Sequence, residues 1–319
     1  MFNFQKTEKF LFGFLLFTLF WLPLSLGANR PWAWALMQMS FFFIGGVLLL
    51  INNSLLSKLY AQYKVLVIIW MAFLAWQLIN IIPLPFSLVE VLRPERVHFM
   101  MNENIQYVED IRSQWLSLSF DVGQSNVTFF KSLAYCFLFF IALSLINTGK
   151  RLRYTLIVIS AAGVFQAIYG ALEVLSGLKY SLIFKLPVSH IATGSFVYKN
   201  HYANFLLLCL SAAIGYMIAS LRVRSGSSPR ERLRRIVRFW LSNKVLFRIG
   251  IIIMVIALVM SRSRMGNSAF FIAMTITATL GLIYFKPRQK SYVVLFISML
   301  VVDILIVSSL FGLKQVQQR

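Results

Sequence analysis

The chain is poor in carboxylates, histidine and cysteine: it has 10 Asp and Glu, 3 His and 2 Cys among 319 residues. Cys136 and Cys209 both lie within apolar runs, and no CxxC or zinc-ligand spacing occurs, which excludes a disulfide framework and a structural zinc site. The chain also lacks an Asp-x-Asp pair and any cluster of His with carboxylates that would suit Mg²⁺ or Mn²⁺. We therefore expect no metal site and no cofactor.

Charged residues of either sign are also few, at 13%, whereas apolar residues make up 59% and the mean hydropathy is +0.76. Apolar runs of about 20 residues recur along the chain, which predicts an all-α polytopic membrane protein. The whole chain, 1–319, is then a single integral membrane domain. About nine transmembrane helices are expected, at residues 10–28, 32–51, 65–82, 127–146, 154–175, 201–221, 249–260, 268–284 and 291–310.

The 31 Lys and Arg residues give the chain a formal net charge of +21. In a soluble protein this charge would indicate a nucleic-acid partner. Here the basic residues lie mostly between apolar runs, which is the pattern of the positive-inside rule, and nucleic acid is excluded. Alternating the loops puts most of the Lys and Arg on one side of the membrane. We therefore predict a cytoplasmic N-terminus and a periplasmic C-terminus.

Three connecting segments differ in their charge. Segment 86–126 holds six of the ten carboxylates and is predicted to be a periplasmic loop with short interfacial helices that carry Trp115 and Phe120. Segment 176–200 is predicted to be a second periplasmic loop. The most basic segment, 222–248, also contains interleaved apolar residues. It predicts either an amphipathic helix lying on anionic lipids or a cytoplasmic loop that only sets the topology.

The first motif is Ser261-Arg262-Ser263-Arg264, which ends the apolar run 251–260. An arginine at the bilayer centre costs about 2.5–3.5 kcal/mol, so the pair is expected at a membrane face or in a polar cavity. The planar guanidinium matches the geometry of phosphate, which indicates an anion site at the membrane surface. The alternative is that the two arginines merely end the helix, and both interpretations stay open.

The second motif reads Gly-Ser-Phe-Val-Tyr-Lys-Asn-His-Tyr-Ala over residues 194–203, at the start of the sixth predicted helix. The loop alternation puts it on the same outer face as the first motif, together with Arg319. Asn200 is the predicted N-cap, and free backbone N–H groups beside Lys199 and His201 would suit a phosphate or diphosphate. The alternative is a capped helix start with interfacial Lys and Tyr.

Together these residues resemble the O-antigen ligase and O-antigen polymerase family of bacterial envelope glycosyltransferases. The family's start of this helix is similar to Gly-Thr-Phe-Val-Asn-Arg-Asn-His-Phe-Ala, and its next hairpin carries Ser-x-Ser-Arg-Gly-Gly, which matches residues 261–266. Residues 167–170, Ala-Ile-Tyr-Gly, also have the look of the family. The departures are Tyr198 for Asn, Lys199 for Arg and Met265 for Gly. The likeness spans roughly residues 128–319.

The resemblance implies a metal-independent glycosyltransferase at the periplasmic face of the bacterial inner membrane. Its donor would be a glycan linked to undecaprenyl diphosphate, and its acceptor lipid A core, a growing polysaccharide or a protein. Arg264, in the Arg position of the family motif, is expected to stabilise the charge on the leaving diphosphate, with Arg262 in support. The remaining residues expected at the diphosphate are Lys199, Asn200, His201 and Arg319.

The resemblance also leaves alternatives. In the family, a large periplasmic loop with a further Arg and a His follows the ninth helix, and this chain ends at residue 319, where that loop would begin. We expect either a fragment or a shortened, non-catalytic relative. A transporter of lipid-linked oligosaccharides is a third possibility, with Asp303 and Glu173 as its candidate acids. Intramembrane serine proteolysis is disfavoured, because Ser195 lacks a Gly-x-Ser-Gly context.

Overall fold

A computed structural model of the chain describes residues 4–103, 115–185, 187–188, 190–220 and 243–284, and most of these are helical. Two strands, β1 (Leu84–Pro85) and β2 (Trp115–Leu116), pair in antiparallel fashion. The helices are α1 (Phe4–Trp21), α2 (Pro31–Ile51), α3 (Leu55–Ile81), α4 (Phe86–Leu92), α5 (Pro94–Glu103), α6 (Val122–Leu145), α7 (Gly149–Leu175), α8 (Lys199–Ala219), α9 (Asn243–Met260) and α10 (Arg264–Tyr284).

Six helical segments in the described ranges are long and apolar enough to cross a membrane. A helix suits this environment because it satisfies its backbone hydrogen bonds internally. The prediction of an all-α, multi-pass membrane protein is thereby confirmed, whereas nine spans and the sidedness of the termini stay predictions. Segment 291–310 lies outside the described residues. The six segments are Gln5–Leu24, Pro31–Ile51, Leu55–Ile81, Val122–Leu145, Gly149–Leu175 and Lys199–Ala219.

The third predicted helix, 65–82, begins earlier than expected, because α3 already starts at Leu55. The segment after the turn contains neither Gly nor Pro, so Lys58 and Lys64 lie on helical turns that continue into the apolar run. Only Tyr63 departs from helical geometry, with φ −127° and ψ 34°, and it marks a kink.

Two further helices begin before their predicted starts at residues 127 and 154, because side chains cap them. Asp121 Oδ1 accepts a hydrogen bond from the backbone N–H of Gln124 at 2.9 Å and so starts α6. Thr148 Oγ1 accepts from the backbone N–H of Arg151 at 3.3 Å and starts α7. Each cap satisfies a backbone donor that a helix start leaves unpaired.

The segment between β1 and α6 contains short helices, but they do not carry the predicted aromatic residues. Trp115 lies in β2, and Phe120 lies in the turn before α6, so that part of the prediction is wrong. Apolar side chains of these helices form a small core with β2 and the residues after it. Trp115 is not part of this core and is 68% exposed. This core consists of Phe86, Val89, Val97, Leu116 and Leu118.

The chain divides into two compact units, one formed by residues 1–15 and 34–147 and the other by residues 16–33 and 148–319. In the first unit α3 packs against α6, and Gln77 Nε2 donates to Ser132 Oγ at 2.9 Å. In the second unit α7, α8 and α9 pack together, and α10 packs on α8. Cys136 and Cys209 are free and buried, as expected of small core residues.

Candidate functional site

The first predicted motif forms the connection between α9 and α10. Ser261 lies at the end of α9, and its Oγ donates to the Leu258 carbonyl at 2.6 Å. Arg262 follows with φ 49°, a left-handed conformation that costs a residue other than glycine about 1–2 kcal/mol. Ser263 then caps α10, because its Oγ accepts a hydrogen bond from the backbone N–H of Gly266 at 3.2 Å. This short turn leaves Arg262 and Arg264 exposed on either side of a buried serine.

The second predicted motif lies directly against the first. Ser263 Oγ donates a hydrogen bond to Asn200 Oδ1 at 3.0 Å. One turn further along, a Cβ on Gly266 would lie 2.7 Å from Cβ of Ala203, so the first turns of α10 and α8 approach as closely as glycine allows. Two motifs that are distant in the sequence therefore meet at the starts of two helices.

The prediction that Asn200 is the N-cap of its helix is wrong. Helix α8 begins at Lys199, and Tyr198, in extended conformation, occupies the N-cap position without a side-chain hydrogen bond. The side-chain oxygen of Asn200 accepts from Ser263 instead, so the residue joins two helices rather than capping one. Its amide –NH₂ group, with two donors, is not used in this bond.

Basic residues flank both partners of this hydrogen bond in the sequence. His201 and the two arginines are exposed, and Lys199 is half-buried. The His201 ring packs edge-on against Tyr198, with 5.9 Å between ring centroids. In the ranges given above, no group of three or more His, Cys, Asp or Glu could hold a metal ion. Arg319, Asp303 and most of the basic segment 222–248 lie outside the described residues.

A buried hydrogen-bond network holds the loop that leads into α8. The side chain of Gln166, in the middle of α7, donates from Nε2 to Ser195 Oγ at 2.7 Å and to the Pro23 carbonyl at 2.9 Å. Its Oε1 accepts from the backbone N–H of Ser195 at 3.0 Å. Ser195 Oγ also donates to the Pro23 carbonyl at 2.7 Å, so this hydroxyl has a structural role. The sequence signal for this network is a single amide side chain within an apolar helix.

Two glycines allow this loop to lie against α7. Gly194 has φ 54°, and a Cβ there would meet the Gln166 side chain and the Tyr202 ring. A Cβ on Gly170 would lie 2.7 Å from Tyr202 Oη and 2.9 Å from the backbone nitrogen of Gly194. Tyr202 Oη itself donates to the Gln166 carbonyl at 3.2 Å. The close packing explains why glycine is required at both positions.

Glu173, a candidate acid of the transporter alternative, anchors the start of the same loop. Its side chain is only 3% exposed and accepts from the backbone N–H of Leu182 at 3.3 Å. One turn earlier on α7, Tyr169 Oη accepts from the backbone N–H of Ile183 at 3.2 Å. The buried carboxyl group therefore helps to hold the loop against α7.

Comparison of the chain with protein-family models, with curated proteins and with solved structures found no match. The likeness to the O-antigen ligase and polymerase family therefore rests on the two motifs and on the short Ala-Ile-Tyr-Gly sequence in α7. In the structure the two motifs are in contact. Residues 167–170 lie in α7, and the loop that leads into the second motif packs against this helix.

Proposed function

We propose that this chain binds a lipid-linked diphosphate and takes part in transferring its glycan, at the outer face of the bacterial inner membrane, to a lipid, polysaccharide or protein acceptor. The observation that carries the proposal is the hydrogen bond between Ser263 and Asn200. It joins the two motifs on which the resemblance depends, although they lie 63 residues apart in the chain.

The chemistry of the junction supports a diphosphate ligand. Helices α8 and α10 both start there, and a helix N-terminus carries unpaired N–H groups and about half a positive charge. Lys199 and Arg264 are the first residues of these helices, so fixed cations add to the helix dipoles. Arg264 offers a planar fork of donors for two phosphate oxygens, and the Asn200 amide offers further donors.

Charge stabilisation is the catalytic contribution expected of such a site. When a glycan leaves its carrier, negative charge develops on the diphosphate, and donors that are already in place stabilise it without reorganisation. We assign this role to Arg264 and Arg262, with Lys199, Asn200, His201 and Arg319 binding the diphosphate. The basic segment 222–248 is proposed to lie on anionic lipids at the opposite face.

The proposed sidedness predicts where a reagent reaches the junction. A cysteine at Met265, which is 78% exposed, should react with an impermeant maleimide on intact bacterial spheroplasts. A cysteine at Ser54, in the exposed turn between α2 and α3, should react only after permeabilisation. The native cysteines are buried and should give little background. Labelling of the Met265→Cys variant only after permeabilisation would reject the topology and the periplasmic site together.

The ligand class can be tested with farnesyl diphosphate as a short probe. The purified chain should bind it in isothermal titration calorimetry, and inorganic diphosphate should compete. Affinity should fall as salt is raised, because charge pairs at an exposed site are screened. Farnesol, which has the same hydrocarbon but no phosphate, is the matched control. Equal affinity for farnesol and farnesyl diphosphate would contradict a diphosphate site.

A further inference from the structure

A cavity of about 470 Å³, lined by two aromatic and several polar residues, lies in the first compact unit, at the C-terminal end of α3 and the start of α6. This volume falls within the range of roughly 300–1,000 Å³ that small-molecule sites occupy. Its lining includes none of the residues assigned above to the diphosphate. The cavity is therefore a candidate site for a different ligand.

The wall of the cavity is fixed by contacts within the protein. The backbone N–H of Ser119 donates to the Asn80 carbonyl at 3.0 Å, and Ser119 Oγ lies 2.6 Å from Ser125 Oγ. Arg93 donates from a terminal guanidinium nitrogen to the Leu118 carbonyl at 2.8 Å. A ligand entering this cavity does not have to order the wall, which lowers the cost of binding.

The Phe120 ring is held in the same way. The guanidinium carbons of Arg93 and Arg96 lie 5.0 and 5.3 Å from its centroid, and the Phe99 ring packs edge-on at 5.7 Å. These neighbours fix the orientation of the Phe120 ring, which is 45% exposed and forms part of the wall. Trp76, which also lines the cavity, is 64% exposed and is the larger and more exposed of these two aromatic surfaces.

The polar lining indicates a neutral ligand. One carboxylate, Asp121, and one guanidinium, Arg93, line the cavity, so a phosphate would meet the acid and an amine would meet the base. The remaining polar groups are amides and hydroxyls. The helix cap uses only the backbone N–H of Gln124, whose exposed side-chain amide remains for a ligand. Gln77 Oε1 is buried and has no hydrogen-bond partner among the residues that the structure describes.

Carbohydrates fit this combination better than other neutral molecules. A sugar ring has an apolar face of C–H groups that packs on an aromatic ring, and hydroxyls at its edge that both donate and accept. A carboxylate accepts from several hydroxyls, an amide does both, and a guanidinium donates. We infer that this cavity binds a neutral carbohydrate, with the Trp76 ring against a face of the sugar and Asp121, Gln124 and Arg93 at its hydroxyls. The inference rests on this lining and not on the proposed transfer reaction, so either can fail alone.

The experiment uses the full chain, purified in a phosphocholine detergent because sugar-based detergents would compete. Maltotriose, chitotriose and mannotriose are titrated separately by calorimetry and by saturation-transfer NMR. At least one trisaccharide should bind to the wild type. The variant Trp76→Ala should weaken that binding about tenfold or more, and Gln124→Ala about three- to tenfold.

The matched control is Trp115→Ala, which removes a tryptophan of similar exposure, 68%, from the same unit but outside the cavity lining. It should bind the sugar like the wild type. All variants should keep the wild-type affinity for farnesyl diphosphate, which separates this site from the proposed diphosphate site and reports folding.

Three results would overturn the inference. The first is that none of the trisaccharides binds to the wild type. The second is that Trp76→Ala and Trp115→Ala weaken binding equally, which would mean a general effect of interfacial tryptophan. The third is that glycerophosphoglycerol displaces the bound sugar or binds in its place, which would make the cavity a lipid headgroup site. If Trp76→Ala does not fold, the exposed Gln124→Ala variant decides, and an unchanged affinity would count against the inference.

Discussion

Replacing Arg264 with lysine should slow glycan transfer about 10- to 100-fold, because a hydrogen bond to a charged group contributes about 1.5–3 kcal/mol. Lysine keeps the positive charge but is a point charge, and it loses the planar fork that binds two phosphate oxygens at once. Affinity for farnesyl diphosphate should fall as well. Transfer is measured in cells that supply the donor and acceptor, with expression of the variant checked.

The alternative, that Arg264 only ends a helix at the membrane surface, predicts a different result. Lysine also extends its charge to an interface, so near-normal transfer by the Arg264→Lys variant would support this topological role. Arg264 is the first residue of α10 and exposed, so the exchange should leave the helix intact. The matched control is Arg30→Lys, since Arg30 is exposed, belongs to the same compact unit and is predicted to lie on the same face. It should have no effect on transfer.

The helices could be predicted from the sequence because their signal is local. An apolar run of about 20 residues has few ways to satisfy its backbone hydrogen bonds in lipid. The helical type of each run and its approximate position therefore follow from composition. The starts were harder to predict, as at Leu55, because a helix extends beyond its apolar run wherever no Gly or Pro breaks it. The caps at Asp121 and Thr148 decide the starts of α6 and α7 more finely than hydropathy does.

The candidate site was only partly predictable for a different reason. Sequence patterns predicted that the two motifs lie on one face of the membrane, but they could not specify which atoms meet. Asn200 fits the local preference for an N-cap, yet its side-chain oxygen accepts a hydrogen bond from Ser263, which lies 63 residues away. Gln166 bonds a carbonyl 143 residues away, and no spacing in the sequence encodes that pair. Such contacts depend on the packing of α7 and its neighbours, which overrides local preference.

Gln166 should matter more for stability than any residue proposed to bind the diphosphate. The variant Gln166→Met keeps a side chain of similar length, but it removes three hydrogen bonds and leaves the backbone N–H of Ser195 buried without its acceptor. Hydrogen bonds between membrane helices average about 0.6 kcal/mol, and an unsatisfied buried donor costs about 1–3 kcal/mol. The expected loss is therefore about 2–4 kcal/mol, seen as a fall of several degrees in the unfolding temperature in lipid nanodiscs.

The matched control for this prediction is the same exchange at Gln38, whose Nε2 is buried and has no partner among the residues that the structure describes. Gln38→Met removes an unsatisfied donor and should be neutral or stabilising. Because the Gln166 network holds the loop that leads into Lys199, Gln166→Met should also weaken binding of farnesyl diphosphate, whereas Gln38→Met should not. Equal unfolding temperatures for the two variants would show that the network does not hold this loop. The structural role assigned to the Ser195 hydroxyl would then be rejected.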